Sequence, residues 1–213
     1  MIVLSGTIGA GKTSLTQMLA DHLHSQAFYE SVDDNEILPL FYKDPKKYGF
    51  LLQMYFLNKR LEEIKNASSN PTDVLDRSIF EDPLLFKLNA DLGRATSTEA
   101  EIHESLVQNM MEELPEVPQK KNPDLLICVQ VSFDTMLERI KKRGRSYEQI
   151  DEDPSLYEYY LSLNQRYSEW FDKYDKSPKL AIDGDKYNFV EDQDAQAHVL
   201  KMVDAKLKEL SII

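Results

Sequence analysis

Short apolar runs alternate along this chain with stretches whose apolar residues recur at helical spacing. Ile2-Val3-Leu4 reads as a strand ending at a glycine-rich turn, and Leu15, Met18, Leu19, His22 and Leu23 then follow a helical period over 13–23. Ala27-Phe28-Tyr29 is a second short strand, 51–65 a helix, and Asp73-Val74-Leu75-Asp76 a third strand behind the breaker Asn70-Pro71-Thr72. Ile102, Leu106, Met110 and Leu114 line one face of a helix over 99–114, and Pro115, Pro118 and Pro123 mark the connection after it. The run 125–131 is the most apolar strand. It is followed by helices over 133–143 and 155–174, a fifth strand at Leu180-Ala181-Ile182, and a last helix carrying Val199, Val203, Leu207 and Leu210. Strands separated by helices imply βαβ crossovers, so the expected fold is α/β: a five-stranded, mostly parallel sheet with helices on both faces. No linker splits the chain, which predicts one domain over 1–213. Leu156, Tyr160, Leu163, Tyr167, Trp170 and Tyr174 form a stripe read as core rather than as a dimer seam.

Charge and composition narrow the function. The 213 residues carry 25 Lys and Arg against 37 Asp and Glu, a net charge of −12. That acidic balance argues against a general nucleic-acid binder and against an anionic membrane surface, and leaves room for a small anionic ligand in a local basic pocket. No apolar run approaches the ~18 residues of a membrane span, and the first residues lack a basic signal-peptide region, so the expected location is cytoplasmic. The one cysteine, Cys128, sits within an apolar strand and reads as buried filler. The four histidines show no metal-ligand spacing.

Gly6-Thr7-Ile8-Gly9-Ala10-Gly11-Lys12-Thr13 matches G-x-x-x-x-G-K-[ST] in full, after a strand and at the start of a helix. Glycines let backbone N–H groups turn inward around phosphate oxygens, and the helix N-terminus adds its positive end. Ser14 completes the nucleotide-binding stretch. Lys12 is placed to reach the β/γ-phosphates and Thr13 to ligate Mg²⁺. Asp76, at the end of the third strand, is the second candidate for the Mg²⁺ shell, with a helix N-cap as its alternative. Arg139 and Arg143 share a helix face at i,i+4. Gly144 breaks that helix and turns Arg145 back, so three guanidiniums converge as a phosphate clamp, a lid over about 139–150. A solvated helix end is the competing account. Glu30 lies just past the second strand, at the sheet edge where α/β proteins bind ligands, and can orient or deprotonate an acceptor hydroxyl. Gln53 and Arg60 share one helix face. An Asn-Lys-x-Asp guanine reader is missing, since Asn58-Lys59-Arg60-Leu61 lacks the aspartate.

Together, the phosphate loop, Glu30-Ser31-Val32, Asp76-Arg77-Ser78 and Arg139…Arg143-Gly144-Arg145…Glu148 resemble the deoxynucleoside kinases, from about residue 2 to about residue 190. The segments 29–35, 75–82 and 182–186 resemble the bacterial purine branch, the deoxyadenosine and deoxyguanosine kinases. The resemblance implies a P-loop kinase fold with ATP and Mg²⁺ as cofactors, a deoxynucleoside as substrate, and a homodimer. It implies that Glu30 is the base on the 5′-hydroxyl, with Arg77 near that hydroxyl and the phosphates. Tyr42 and Glu148 hold the 3′-hydroxyl, Gln53 reads the base and Phe86 stacks on it. Arg60 and Asp82 pair near the base edge. Lys12, Arg139, Arg143 and Arg145 act on the donor phosphates, and Asp183, Asp185, Lys186 and Tyr187 lie in the loop near the donor adenine. Many animal members have Glu at the place of Asp76, and Pro and Trp where Ser31 and Asn35 stand here, which leaves base preference open. Two other readings remain at this point: a thymidylate-kinase-like monophosphate kinase, which needs basic residues on the acceptor side, and a P-loop regulator without transfer chemistry.

Overall fold

A computed structural model describes residues 1–30, 35–67, 70–112 and 121–213. Five strands, β1 (Ile2–Ser5), β2 (Ala27–Phe28), β3 (Val74–Leu75), β4 (Leu125–Gln130) and β5 (Lys179–Asp183), form one parallel sheet in the order β2-β3-β1-β4-β5. Among the described residues eight α-helices connect and flank them: α1 (Lys12–Leu23), α2 (Ile37–Lys43), α3 (Pro45–Ala67), α4 (Asp82–Asp91), α5 (Ser97–Met111), α6 (Phe133–Arg143), α7 (Ser155–Lys173) and α8 (Gln193–Glu209).

Both faces of the sheet are covered, and the period of two along each strand decides which residue goes where. Ile2, Leu4, Leu125, Ile127 and Val129 pack against Leu15 and Leu19 of α1 and Val199, Val203 and Leu207 of α8. Val3, Leu126 and Cys128 face Leu57 and Ile64 of α3, Val107 of α5 and Phe171 of α7. Continuous apolar strands are what a doubly covered parallel sheet requires. Burial pushes the Cys128 thiol up to about 12, so it is inert filler, as its neighbours in sequence suggest. The aromatic stripe of α7 is core as well: Leu156, Tyr160, Leu163 and Tyr167 pack with Leu88 of α4 and Met136 and Ile140 of α6.

Helices α2 and α4 were not foreseen in the periodicity, and α3 begins six residues before the expected Leu51. Each of these three helices carries proline near its N-terminus, Pro39, Pro45 and Pro83. Proline breaks a helix interior but fits the first turn, where its missing N–H has no intrahelical partner. Strand β2 is shorter than expected, and Tyr29 lies beyond it, 41% exposed. Helix α5 ends at Met111, and Leu114, Pro115 and Pro118 lie outside the described residues. Among the described residues no helix is long and apolar enough to cross a membrane.

The parallel arrangement brings every β-to-α loop to one edge of the sheet. The phosphate loop follows β1, Glu30 follows β2, Asp76 and Arg77 follow β3, α6 and the lid follow β4, and Asp183 ends β5. Open α/β sheets bind ligands at that edge, beside the point where strand order reverses.

Candidate active site

The phosphate loop adopts a conformation that its glycines alone permit. Gly6 has φ of 138°, and a Cβ there would lie 2.5 Å from the Val129 carbonyl oxygen. Gly11 has φ of 99° and backs onto the Phe189 ring. Lys12 is buried, and its ammonium donates to the carbonyls of Gly6 (2.9 Å) and Thr7 (2.8 Å). Burial and the nearby Arg77 lower its pKa to about 8. Ile8 leans on the α6–α7 cluster, Ala10 is buried at the loop's turn, Gly9 lies against the Met136 carbonyl of α6, and Ser14 is half-buried on α1. Thr13 Oγ1 donates to Asp76 Oδ2 at 2.5 Å. Asp76 is buried, its Oδ1 has no hydrogen-bond partner among the described residues, and burial raises its pKa.

Opposite the loop lies a charged network. Arg60 Nη2 donates to Glu30 Oε1 at 2.5 Å, and Arg77 Nε approaches the same oxygen at 3.0 Å. The two guanidiniums and Lys12 outweigh the effect of burial and hold the Glu30 carboxyl down at about 2. Arg60 Nη1 donates to Asp82 Oδ1. Arg60 and Asp82 are both buried, and desolvation pushes Asp82 up to about 6 against the pull of Arg60. The expected Arg60–Asp82 pair is therefore present. Gln53, one helix face along from Arg60, is buried with Oε1 unpartnered among the described residues, as are Asp82 Oδ2 and Arg60 Nε. Clustered orphan polar atoms are costly in a core. Phe86 lies fully buried between Phe50 (centroids 6.2 Å) and His103 (5.2 Å, edge-on).

Arg77 itself has φ of 134°, a backbone state that costs a non-glycine residue about 1–3 kcal/mol. Its side chain is fixed by Glu30, by Tyr167 Oη (3.1 Å from Nη1) and by Glu81 (3.7 Å).

The lid arginines do not all converge. Arg143 Nη2 donates to Glu148 Oε2 at 2.5 Å and Arg145 Nη1 lies 3.6 Å from Glu148 Oε1. Arg139 instead donates to the carbonyls of Ala10 (3.0 Å) and Gly184 (2.8 Å), tying the phosphate loop to the turn after β5. The expectation of three convergent guanidiniums is corrected to two. Arg139 sits one turn earlier on α6, level with the phosphate loop, whereas Gly144 at φ of 72° folds Arg145 back toward Glu148. Tyr42 and Glu148 do come together: Tyr160 donates to the Glu148 carbonyl (3.0 Å) and its hydroxyl also meets that of Tyr42. In the turn after β5, Asp183 Oδ1 accepts the N–H groups of Asp185 (3.0 Å) and Lys186 (2.9 Å), and Asp185 accepts the Ser132 N–H (2.9 Å). Lys186 lies over the Tyr187 ring, which stacks on His198. These four side chains thus shape the turn itself.

Glu63, Glu81 and His103 at this edge take no functional role from any motif of the sequence, and Tyr167 is legible there only as core. Of the first three, only Glu81 had a legible cue, the S-x-x-E spacing from Ser78 that forms a capping box. Glu63, on α3, is pushed up to about 7 by burial. Its folded pKa therefore lies above the ordinary 4.5, the folded state binds the proton more tightly, and stability falls as pH rises from about 4.5 through about 7. Glu63→Gln is expected to raise Tm at pH 8 and leave it unchanged at pH 4. Thermal unfolding at the two pH values checks this, and equal shifts at both would refute it.

Comparison with known proteins agrees with this geometry. The deoxynucleoside kinase family model matches residues 2–208. A deoxyguanosine kinase of Lactobacillus acidophilus is 57% identical over 210 residues, covering 99% of this chain and 92% of that protein. A deoxyadenosine kinase of the same organism is also 57% identical, covering 99% and 97%. The structure of deoxyadenosine kinase from M. mycoides with bound dCTP superposes with a TM-score of 0.78 at 30% identity, covering 98% of this chain and all of that one. A sheet edge with a phosphate loop, a half-buried acid held by two arginines and a lid, together with these likenesses, shows that the chain belongs to the deoxynucleoside kinase family, a family of phosphotransferases.

Proposed function

We propose that this protein transfers the γ-phosphoryl group of Mg·ATP to the 5′-hydroxyl of a purine 2′-deoxynucleoside, as one catalytic domain. The observation that carries the reading is Glu30. It stands at the end of β2, held ionised by Arg60 and Arg77, across from Lys12. Both arginines meet Oε1, which among the described residues leaves Oε2 for the hydroxyl of an acceptor. A carboxyl held at about 2 is a weak proton acceptor, so Glu30 aligns the hydroxyl and takes its proton late, as charge leaves the nucleophile. Catalysis then rests on positioning and charge stabilisation. Lys12 steadies the β/γ-phosphates, Arg77 lies between hydroxyl and phosphate, and Arg143 and Arg145 leave Glu148 to close on the donor while Arg139 braces the loop. The vacated Glu148, with Tyr42, accepts the 3′-hydroxyl. The turn from Asp183 through Asp185, Lys186 and Tyr187 borders the adenine.

Thr13 and Asp76 fit a Mg²⁺ ion: both offer oxygen, and Asp76 Oδ1 is a buried acceptor without a partner among the described residues. When bound, the ion supplies charge neutralisation on the phosphate oxygens.

Base recognition falls to Gln53 Oε1 and Asp82 Oδ2, both without a hydrogen-bond partner among the described residues, with Phe86 as the aromatic wall. A Gln amide offers donor and acceptor together, so it serves either purine. Relatives named for deoxyguanosine and for deoxyadenosine, at equal identity, support the purine class. The acceptor side does not suit a monophosphate, because Arg60 and Arg77 are already paired with Glu30, Asp82 and Glu81.

The test is kcat/KM with Mg·ATP and each of deoxyadenosine, deoxyguanosine, deoxycytidine, thymidine and dTMP. A purine deoxynucleoside is expected to lead. Thymidine or deoxycytidine in front would overturn the base assignment, and turnover of dTMP alone would overturn the acceptor. A cytoplasmic homodimer completes the proposal, and light scattering of the purified protein tests the dimer.

A further inference from the structure

Glu81 is fully buried, yet neither substrate of the proposed reaction needs it for contact. Its two oxygens are both in use. Oε2 accepts the Ser78 N–H at 2.8 Å, closing the capping box. Oε1 accepts the Gly6 N–H at 3.0 Å, from a residue 75 positions away, and lies 3.7 Å from Arg77 Nη1. A capping box needs only the first of these bonds. The second reaches the peptide at the entry of the phosphate loop, one residue whose own carbonyl, with that of Thr7, holds the Lys12 ammonium. Two converging N–H groups demand a side chain with two acceptor oxygens and no donor, which is an ionised carboxylate. A glutamine would turn its own NH₂ against one of them.

We propose that Glu81 is a positioning residue for phosphoryl transfer: a strut that sets the entry of the phosphate loop, and through it Lys12, at a fixed distance from Arg77. The inference rests on the kinase reading above and adds to it a coupling between donor and acceptor sides. Glu81 directly precedes Asp82 at the start of α4, but its carboxylate is turned to the Gly6 and Ser78 N–H groups and to Arg77, the phosphate side of the site. Its loss therefore acts on the chemical step and spares nucleoside affinity. Misplacement of about 1 Å at such a centre costs about 10²-fold in rate.

The experiment compares steady-state kinetics of the wild type, Glu81→Gln and Glu99→Gln. Glu99 closes the same kind of capping box with Thr96 on the exposed start of α5, without a distant partner among the described residues, and so controls for the box itself. Glu81→Gln is expected to lose at least about tenfold in kcat with the deoxynucleoside KM within about twofold of wild type, while Glu99→Gln keeps wild-type kcat. A wild-type kcat in Glu81→Gln, or a KM for deoxynucleoside that rises in step with the fall in kcat, overturns the proposal. If Glu81→Gln does not fold, Glu81→Asp keeps two acceptors at shorter reach: a reduced kcat with unchanged KM supports the strut, and wild-type kcat overturns it. A wild-type protein that phosphorylates no deoxynucleoside instead refutes the kinase reading, which separates the two failures.

Discussion

Glu30→Gln is expected to lower kcat by about 10²–10³-fold while deoxynucleoside still binds. The glutamine keeps the shape and removes the charge that aligns the hydroxyl. It also leaves Arg60 and Arg77 short of one counter-ion. Breaking a buried ion pair costs up to about 3–5 kcal/mol, but here the loss is smaller, because Arg60 keeps Asp82 and Arg77 keeps Glu81 and Tyr167. The variant should therefore fold, with a lower Tm. Turnover measured well below that Tm, together with deoxynucleoside affinity by calorimetry, separates the two effects. A kcat within threefold of wild type would remove Glu30 from the reaction and leave it a structural anion between two arginines.

Arg143→Ala is expected to lower kcat by about 10²–10³-fold and to lower Tm as well, because it takes a partner from a buried carboxylate. The Arg143 side chain is 34% exposed, but its partner Glu148 is buried and then keeps the longer 3.6 Å approach of Arg145 Nη1. In the proposed cycle it leaves Glu148 when the lid closes on the donor, and its planar donors match phosphoryl oxygens bidentately. If Arg143 served only to hold Glu148, the substitution would raise the KM for deoxynucleoside and leave kcat unchanged. Thermal unfolding and a full kinetic matrix in both substrates decide between these outcomes.

Much of this was legible along the chain. The alternation of buried strands and amphipathic helices dictates a parallel α/β sheet, because apolar runs that long must be covered on both sides. The phosphate loop was readable because its chemistry is local: glycine conformations, a helix N-terminus, one lysine and one hydroxyl within eight consecutive residues. The Arg60–Asp82 pair follows from a family resemblance whose motifs are spread over the chain, whereas the lid is legible in helical spacing and Gly144; the structure brings Arg60 to Asp82 and Arg143 to Glu148.

Other features depended on contacts between distant segments. The proline-led starts of α2, α3 and α4 look like breaks until the first turn of a helix is seen to accommodate them. Arg139 follows helical spacing with Arg143, yet the approach of α6 to the phosphate loop sends its guanidinium to Ala10 and Gly184. Glu81 is one acid among 37 in the sequence. Only the pairing of β3 beside β1 brings the Gly6 and Ser78 N–H groups onto its two oxygens. Residue types and spacings determined the fold and the phosphate chemistry, since both follow from local periodicity and local backbone freedom. Tertiary structure decided which charges meet. An ion pair or a strut depends on distance in space, and parallel β-strands bring together residues that the sequence holds 75 positions apart.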